Sequence, residues 1–347
     1  MRTCVYPDKP EPGDRVAVLS PSAGVPQVFP DVYELGLRRL RAELGLEPVE
    51  YPTTRVLGAT GPDRARDIHA AFADPSITAV LATIGGEDQI TVIPHLDADL
   101  LRAHPKPFFG YSDNTNLLHH LWQSGIVGYH GGSVMVHLGR GGAPHPMSTG
   151  SLRAALFGRE WYELSAPDEF SDEPGNWSSP GVLDAEPPAR TASPWAWIGP
   201  SDPVIEAPLW GGNLEIISWL LQAGRCGPLS DYAGHVLVIE TSEEMPSDTE
   251  VFRMLRNMGE RGLLGQFAAV LVGRAKAWHH DRPQNLQERQ EYAHAQRAAI
   301  ERALATYAPG IPVVFDLDIG HTDPQLILPI GGNVRVDCPA RRITVRY

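Results

Sequence analysis

The chain has 347 residues, 42% hydrophobic and 20% charged, with a formal net charge of −13. This composition excludes a disordered chain and gives room for two ordinary domains or one large one. The acidic balance, without a long basic run, speaks against a broad nucleic-acid surface, and no apolar run reaches membrane-span length.

In chain order, residues 16–19 form an apolar run ending in Ser20-Pro21-Ser22, which reads as a buried strand entering a loop. Val32, Leu35, Leu40 and Leu44 recur at helical spacing until Gly45 stops them, and residues 62–72 read as a second helix. Ile77–Ala82 is the next buried strand and runs out at Thr83-Ile84-Gly85-Gly86. Phe108 and Phe109 belong to another strand, and residues 114–122 to the helix after it. Strands alternating with helices imply βαβ units and a parallel sheet, whose ligands bind beyond the carboxyl ends of the strands.

Residues 151–157 add a helix, and then the composition shifts. From 165 to 208 the chain is rich in Pro, Ser, Asp, Glu and Trp, with little periodicity. Trp177, Trp195 and Trp197 mark this stretch as a functional loop rather than a solvated linker. Order resumes with a helix over 213–221 and a buried strand over 236–239 that ends at Glu240. A helix over 247–258 follows, with Ser247 and Glu250 spaced for a capping box. A strand over 268–272, the long polar helix Leu286–Tyr307 and short strands at 313–315, 327–328, 334–336 and 343–345 complete the chain. The expected organisation is an N-terminal α/β domain (1–165), a Trp- and Pro-rich loop and linker (166–208) and a C-terminal domain (209–347).

Cys4, Cys226 and Cys338 lie far apart and suit neither a disulfide framework nor a zinc site. His119-His120 and His279-His280 are adjacent pairs, and neighbours on a helix point apart, so no metal is expected. The glycine segments lack the spacing and lysine of a phosphate loop, so no cofactor is expected either. The polar, proline-bearing N-terminus has neither signal-peptide nor lipid-anchor character, and a cytoplasmic protein is the expectation.

The stretch Phe108-Phe109-Gly110-Tyr111-Ser112-Asp113-Asn114 carries the chemistry. A strand, a tight turn and a helix place the Ser112 hydroxyl at a corner, among the free N–H groups of a helix start. A serine nucleophile needs a base, and the base needs a carboxylate to fix its tautomer. Of the 13 histidines, His321 has the most suggestive context, a Gly- and Pro-bounded turn just past a strand. Glu240, closing an apolar strand, is placed to be a partly buried acid. Gly85-Gly86 and the N–H of Asp113 offer donors for an oxyanion hole. Each signal has a plain alternative: a helix N-cap for Ser112, a surface histidine, a solvated strand end, a glycine turn. An α/β-hydrolase esterase shares the order Ser, acid, His, but Asn114 stands where G-x-S-x-G requires its last glycine. A catalytically silent binding protein is a further reading.

Taken together the motifs resemble the serine peptidase family of murein L,D-carboxypeptidases and microcin C self-immunity hydrolases. Phe109-Gly110-Tyr111-Ser112-Asp113-Asn114-Thr115 is similar to its nucleophile motif, and Leu209-Trp210-Gly211-Gly212-Asn213-Leu214 to the motif opening its second domain. Glu240-Thr241-Ser242-Glu243-Glu244 and Ile319-Gly320-His321 resemble its acid and histidine motifs. The resemblance implies a Rossmann-like parallel-sheet domain followed by a mixed α/β domain with barrel-like strands. It implies a metal-free Ser112–His321–Glu240 triad, an oxyanion hole from the N–H groups of Gly86 and Asp113, and a homodimer. It also implies substrate contacts at Gly85, Trp177, Asn213 and Trp210. Thr83-Ile84-Gly85-Gly86 and the long tryptophan loop look like the immunity branch, which acts on aminoacyl- or peptidyl-nucleotides. The alternative substrate is a murein tetrapeptide.

Overall fold

Runs of β-branched and aliphatic residues with no polar interruption must be covered on both faces, which a parallel sheet between helices provides. The computed structural model describes residues 3–347 and shows this arrangement. The first half contributes strands β1 (Arg15–Leu19), β2 (Glu47–Glu50), β3 (Ile77–Ala82), β4 (Phe108–Gly110) and β5 (Gly128–His130). Helices α1 (Pro30–Leu44), α2 (Gly61–Ala73), α3 (Ala98–Ala103), α4 (Thr115–Gln123) and α5 (Pro146–Phe157) alternate with or follow them. Four short strands come next: β6 (Trp161–Leu164), β7 (Glu169–Phe170), β8 (Arg190–Thr191) and β9 (Ala196–Ile198). The remainder comprises β10 (Val204–Asn213), β11 (Val236–Glu240), β12 (Ala269–Gly273), β13 (Val313–Leu317), β14 (Leu328–Ile330), β15 (Asn333–Asp337) and β16 (Arg342–Arg346). Helices α6 (Leu214–Gln222), α7 (Asp248–Glu260) and α8 (Leu286–Tyr307) lie between them.

A single 14-stranded sheet runs through both halves, in the order β2-β1-β3-β4-β5-β14-β10-β11-β12-β13-β9. Pairing is parallel throughout the body. It turns antiparallel where β14 meets β5 and where β9 closes the far edge on β13. Every residue of β11 and β12 is buried, as strands covered on both faces must be. The predicted capping box at Ser247 and Glu250 is present, and Asn285 with Glu288 forms another at the start of α8.

The expected barrel-like strands are an open antiparallel extension, β10-β15-β16-β6, with no closed barrel among the described residues. The irregular stretch ends earlier than the composition indicates. β10 starts at Val204 and serves twice, antiparallel to β15 at its beginning and parallel to β11 at its end. Proline at 208 hides this continuity in the sequence, but a strand that changes partners there can dispense with that one N–H. No helix of the described residues is long and apolar enough to cross a membrane.

Candidate active site

The sheet delivers its reactive groups at the carboxyl ends of its strands. Gly85 follows β3, Ser112 follows β4, Asn213 ends β10, Glu240 ends β11, and His321 follows β13. At the first corner β4 stops at Gly110 and Ser112 takes φ 61, a left-handed conformation unusual for a residue with a Cβ. Such a conformation costs about 1–3 kcal/mol and persists where the surroundings enforce it. Here Asn114 does so: its amide donates to the carbonyls of Ile84 and Tyr111, both at 3.0 Å, and accepts from the Gln89 side chain at 2.8 Å. Asn114 therefore ties the corner to the Gly85 segment, a task the glycine of G-x-S-x-G does not perform. Ser112 makes no side-chain capping bond, so the plain N-cap reading does not describe it. A Cβ on residue 85 would stand 2.9 Å from Ser112 Cβ and 3.1 Å from its Oγ, so glycine is what lets that backbone approach. The Asp113 side chain is fully buried and turned away, bonded to the Ser22 hydroxyl, the Gln89 N–H and Asn116.

Glu240 is 2% exposed, and its Oε2 lies 2.6 Å from His321 Nδ1. A Cβ at Gly320 would come within 2.6 Å of that same Oε2, so the glycine beside His321 makes room for the carboxylate. The other ring nitrogen, Nε2, faces Glu243 Oε2 at 3.1 Å. Full burial by itself lowers the pKa of His321, but the Glu240 and Glu243 carboxylates outweigh it and carry the ring to about 9. Glu240 is pulled the other way. Burial raises its pKa, the facing His321 lowers it more, and the net shift is downward. His321 is thus held between two carboxylates, and no hydrogen bond joins it to Ser112 among the described residues. The Tyr111 ring packs 4.9 Å from the imidazole, centroid to centroid, so the histidine stands next to the serine corner.

Ser112, His321, Gly85, Gly86, Asn213 and Trp177 all line one cavity of about 810 Å³. Glu240 stands behind His321. Trp177 meets Phe29 edge-on at 5.4 Å, forming an aromatic pair on the cavity wall. The loop carrying Trp177 is fastened by Asp172, which is 1% exposed and bonded to Arg190 at 2.5 Å and Arg289 at 3.0 Å. A further bridge, Ser171 to Asp323, fixes the loop two residues from His321. Trp195 and Trp197 are used elsewhere: one donates to Asp318 at 3.0 Å, the other lies in β9.

Trp210 is not where the motif placed it. It is 1% exposed, donates to His119 Nδ1 at 3.2 Å and packs among Trp122, Tyr232 and Phe267, away from the cavity. Side chains alternate along a strand, so a position three residues before Asn213 faces the side opposite its own. Two site residues escaped the sequence reading, Glu243 and Glu215. Glu243 lies within a motif already singled out, in the turn after Glu240, and Glu215 directly follows another, the motif that ends at Leu214.

A buried, carboxylate-bound histidine sharing a cavity with a corner serine is the layout of hydrolases that use a side-chain nucleophile. Residues 16–131 match the LD-carboxypeptidase N-terminal domain and residues 206–336 its C-terminal domain, so the chain belongs to this family, peptidase S66. Among its relatives, the putative carboxypeptidase YocD of Bacillus subtilis is 28% identical, with 96% of each chain covered. The murein tetrapeptide carboxypeptidase of Pseudomonas aeruginosa is 28% identical over 91% of each. The microcin C7 self-immunity protein MccF of Escherichia coli is 26% identical over 82% of this chain and 78% of its own. The fold is shared with MccF in complex with glutamyl sulfamoyl guanosine, at TM-score 0.82, 22% identity and 98% coverage of both chains. It is shared equally with an MccF-like protein from Streptococcus pneumoniae in complex with AMP, at TM-score 0.82 and 25% identity, covering 96% of this chain and 99% of that one.

Proposed function

We propose that this protein is a serine amidase of the immunity type, which cuts the amide joining an aminoacyl or peptidyl group to a nucleotide-like leaving group. The observation that carries the reading is the Phe29–Trp177 pair on the wall of the cavity that holds Ser112 and His321. A purine stacked on an indole contributes about 1–3 kcal/mol, which a peptide leaving group would not recover. Support comes also from the ligands of the MccF structures, glutamyl sulfamoyl guanosine and aspartyl sulfamoyl adenosine. Overall identity does not separate this reading from a murein tetrapeptide carboxypeptidase, since relatives of both kinds are similarly distant.

In the proposed reaction His321 Nε2 loses its proton to water, leaves Glu243 and turns to the Ser112 hydroxyl. Ser112 Oγ attacks the acyl carbonyl while Nε2 takes its proton, and Glu240 holds Nδ1. The carbonyl oxygen becomes an oxyanion received by the N–H groups of Gly86 and Asp113. Collapse breaks the C–N bond, His321 protonates the departing nitrogen, and water then cleaves the acyl-serine by the reverse proton path.

The test sets an aminoacyl sulfamoyl adenosine beside an L,D-linked murein tetrapeptide, with the wild type and Ser112→Ala. Serine-dependent cleavage of the sulfamoyl compound is the expected result. Cleavage of the tetrapeptide alone would replace this reading with the murein one, and cleavage of neither would end both.

A further inference from the structure

The cavity wall built by the second half of the chain holds more acid than acyl transfer uses. Glu215, Glu243 and Glu244 all line it. Glu215 sits in the first turn of α6 and is 7% exposed. Its Oε1 accepts from the Ser242 N–H at 2.9 Å and the Ser242 hydroxyl at 2.6 Å, which anchors the turn after β11. Its Oε2 has no hydrogen-bond partner. Anchoring the turn requires only one oxygen, and a buried acceptor left bare is costly until a donor arrives. Burial, then the neighbouring Glu240 carboxylate, pushes the Glu215 carboxyl up to about 7, so an approaching cation would hold it ionised.

The basic groups nearby are already engaged. Arg64 is bidentate on Asp88 at 2.8 and 3.0 Å. Lys276 is buried and donates to the Asp172 carbonyl, and His321 stands between Glu240 and Glu243. Glu87 adds one more acid to the cavity lining. Glu243, at 61% exposure, and the exposed Glu244 are free to swing.

We propose that Glu215, together with Glu243 and Glu244, forms a subsite for a primary ammonium group on the acyl part of the substrate, borne on its α-carbon or its side chain. The proposal rests on the aminoacyl-nucleotide reading of the site. The apolar Phe29–Trp177 wall takes the leaving group, and the acidic wall across Ser112 takes the acyl group. An ammonium seated there also competes with His321 for Glu243. It draws the carboxylate away and leaves Nε2 free to lose its proton and meet Ser112, so binding of the right acyl group prepares the base.

The test uses lysyl, norleucyl and hexanoyl sulfamoyl adenosine, near-isosteric acyl groups with two ammoniums, one and none. In the wild type kcat/KM falls by about tenfold or more at one of the two steps, the scale of a charge-assisted hydrogen bond. A fall from lysyl to norleucyl assigns the side chain, and one from norleucyl to hexanoyl assigns the α-amino group. Glu215→Gln keeps an acceptor for Ser242, and in it the same step shrinks to about threefold or less. Should that variant fail to fold, Glu244→Gln, on an exposed turn, is expected to reduce the step several-fold. Equal rates for all three compounds, or an unchanged step in the variants, overturn the subsite while the proposed function stands. If none is cleaved the proposed function fails, and binding to Ser112→Ala decides the subsite separately: tighter binding of the ammonium-bearing compounds supports it, equal or absent binding overturns it.

Discussion

The two walls of the cavity are made by different halves of the chain and by different physics. The wall from the first half, with Val25, Phe29 and Leu57 joined by Trp177, offers apolar area and aromatic faces beside the charged Arg64, Glu87 and Asp88. The wall from the second half, with Asn213, Glu215, Glu243, Glu244 and Lys276 beside Ile216 and Trp219, offers charged and polar groups at the ends of β10, β11 and β12. Apolar surface accepts any flat ring and discriminates weakly, because a misfit loses only contact area. Buried polar groups discriminate strongly, because a ligand without the right partner leaves them bare. Under the proposed function, tolerance for the leaving group and selectivity for the acyl group are what such a pairing would produce. Ser112 and His321 lie along the seam between the walls.

The seam is the most sensitive place to break the comparison. Glu240→Gln removes the charge that fixes the His321 tautomer, and kcat is expected to fall by roughly 10⁴-fold, less than in Ser112→Ala. Turnover close to that of the wild type would show that Glu240 does not orient the base.

On the apolar wall, Trp177→Ala is expected to raise KM for sulfamoyl adenosine substrates, and Kd for AMP, by about tenfold, with Trp177→Phe recovering much of it. An unchanged Kd would mean that Trp177 only pins its loop.

On the acidic wall the readout is pH. His321 must be neutral to accept the Ser112 proton, and its raised pKa, about 9, makes the neutral form increase as pH climbs through that value. The acidic limb of kcat/KM is therefore expected in that region for the free enzyme. Glu243→Gln removes one of the acids that raise it, beside Glu240 and Glu215, so the limb moves to lower pH, and a pH–rate profile of the two proteins checks this. A limb that stays in place would show that Glu243 does not hold the base.

The smallest functional effect belongs to Trp210→Phe, outside both walls. It removes the indole donor to His119 Nδ1 and trims an aromatic cluster, so about 1–3 kcal/mol of stability is lost while KM stays within about twofold. Thermal unfolding and substrate kinetics separate the two, and a large rise in KM would return Trp210 to the site.

How much of this was legible follows from how local each cause is. Strands β1, β3 and β11 announce themselves as uninterrupted apolar runs, and the capping box at Ser247 needs only two residues in register. The corner serine, the strand-end acid and the turn histidine were readable because each stands at a break in such a pattern. β5 and β14, at three residues each, are too short to leave a periodicity, yet their pairing joins the two halves of the sheet. Trp210 was misplaced because a motif gives neighbours along the chain and not the face on which each lies.

The sequence by itself determined the alternation of strands and helices, which depends on local pattern, and it singled out Ser112, Glu240 and His321 as candidates that the family resemblance joins into one set. Only the tertiary structure decided that Glu240 and not another acid meets Nδ1, that Glu243 occupies Nε2, that Trp177 alone of three indoles in its loop reaches the cavity, and that Glu215 keeps a bare buried oxygen beside it. Each of these is set by contacts between strand ends far apart in the chain, where burial and neighbouring charge, rather than residue type, fix what a side chain can do.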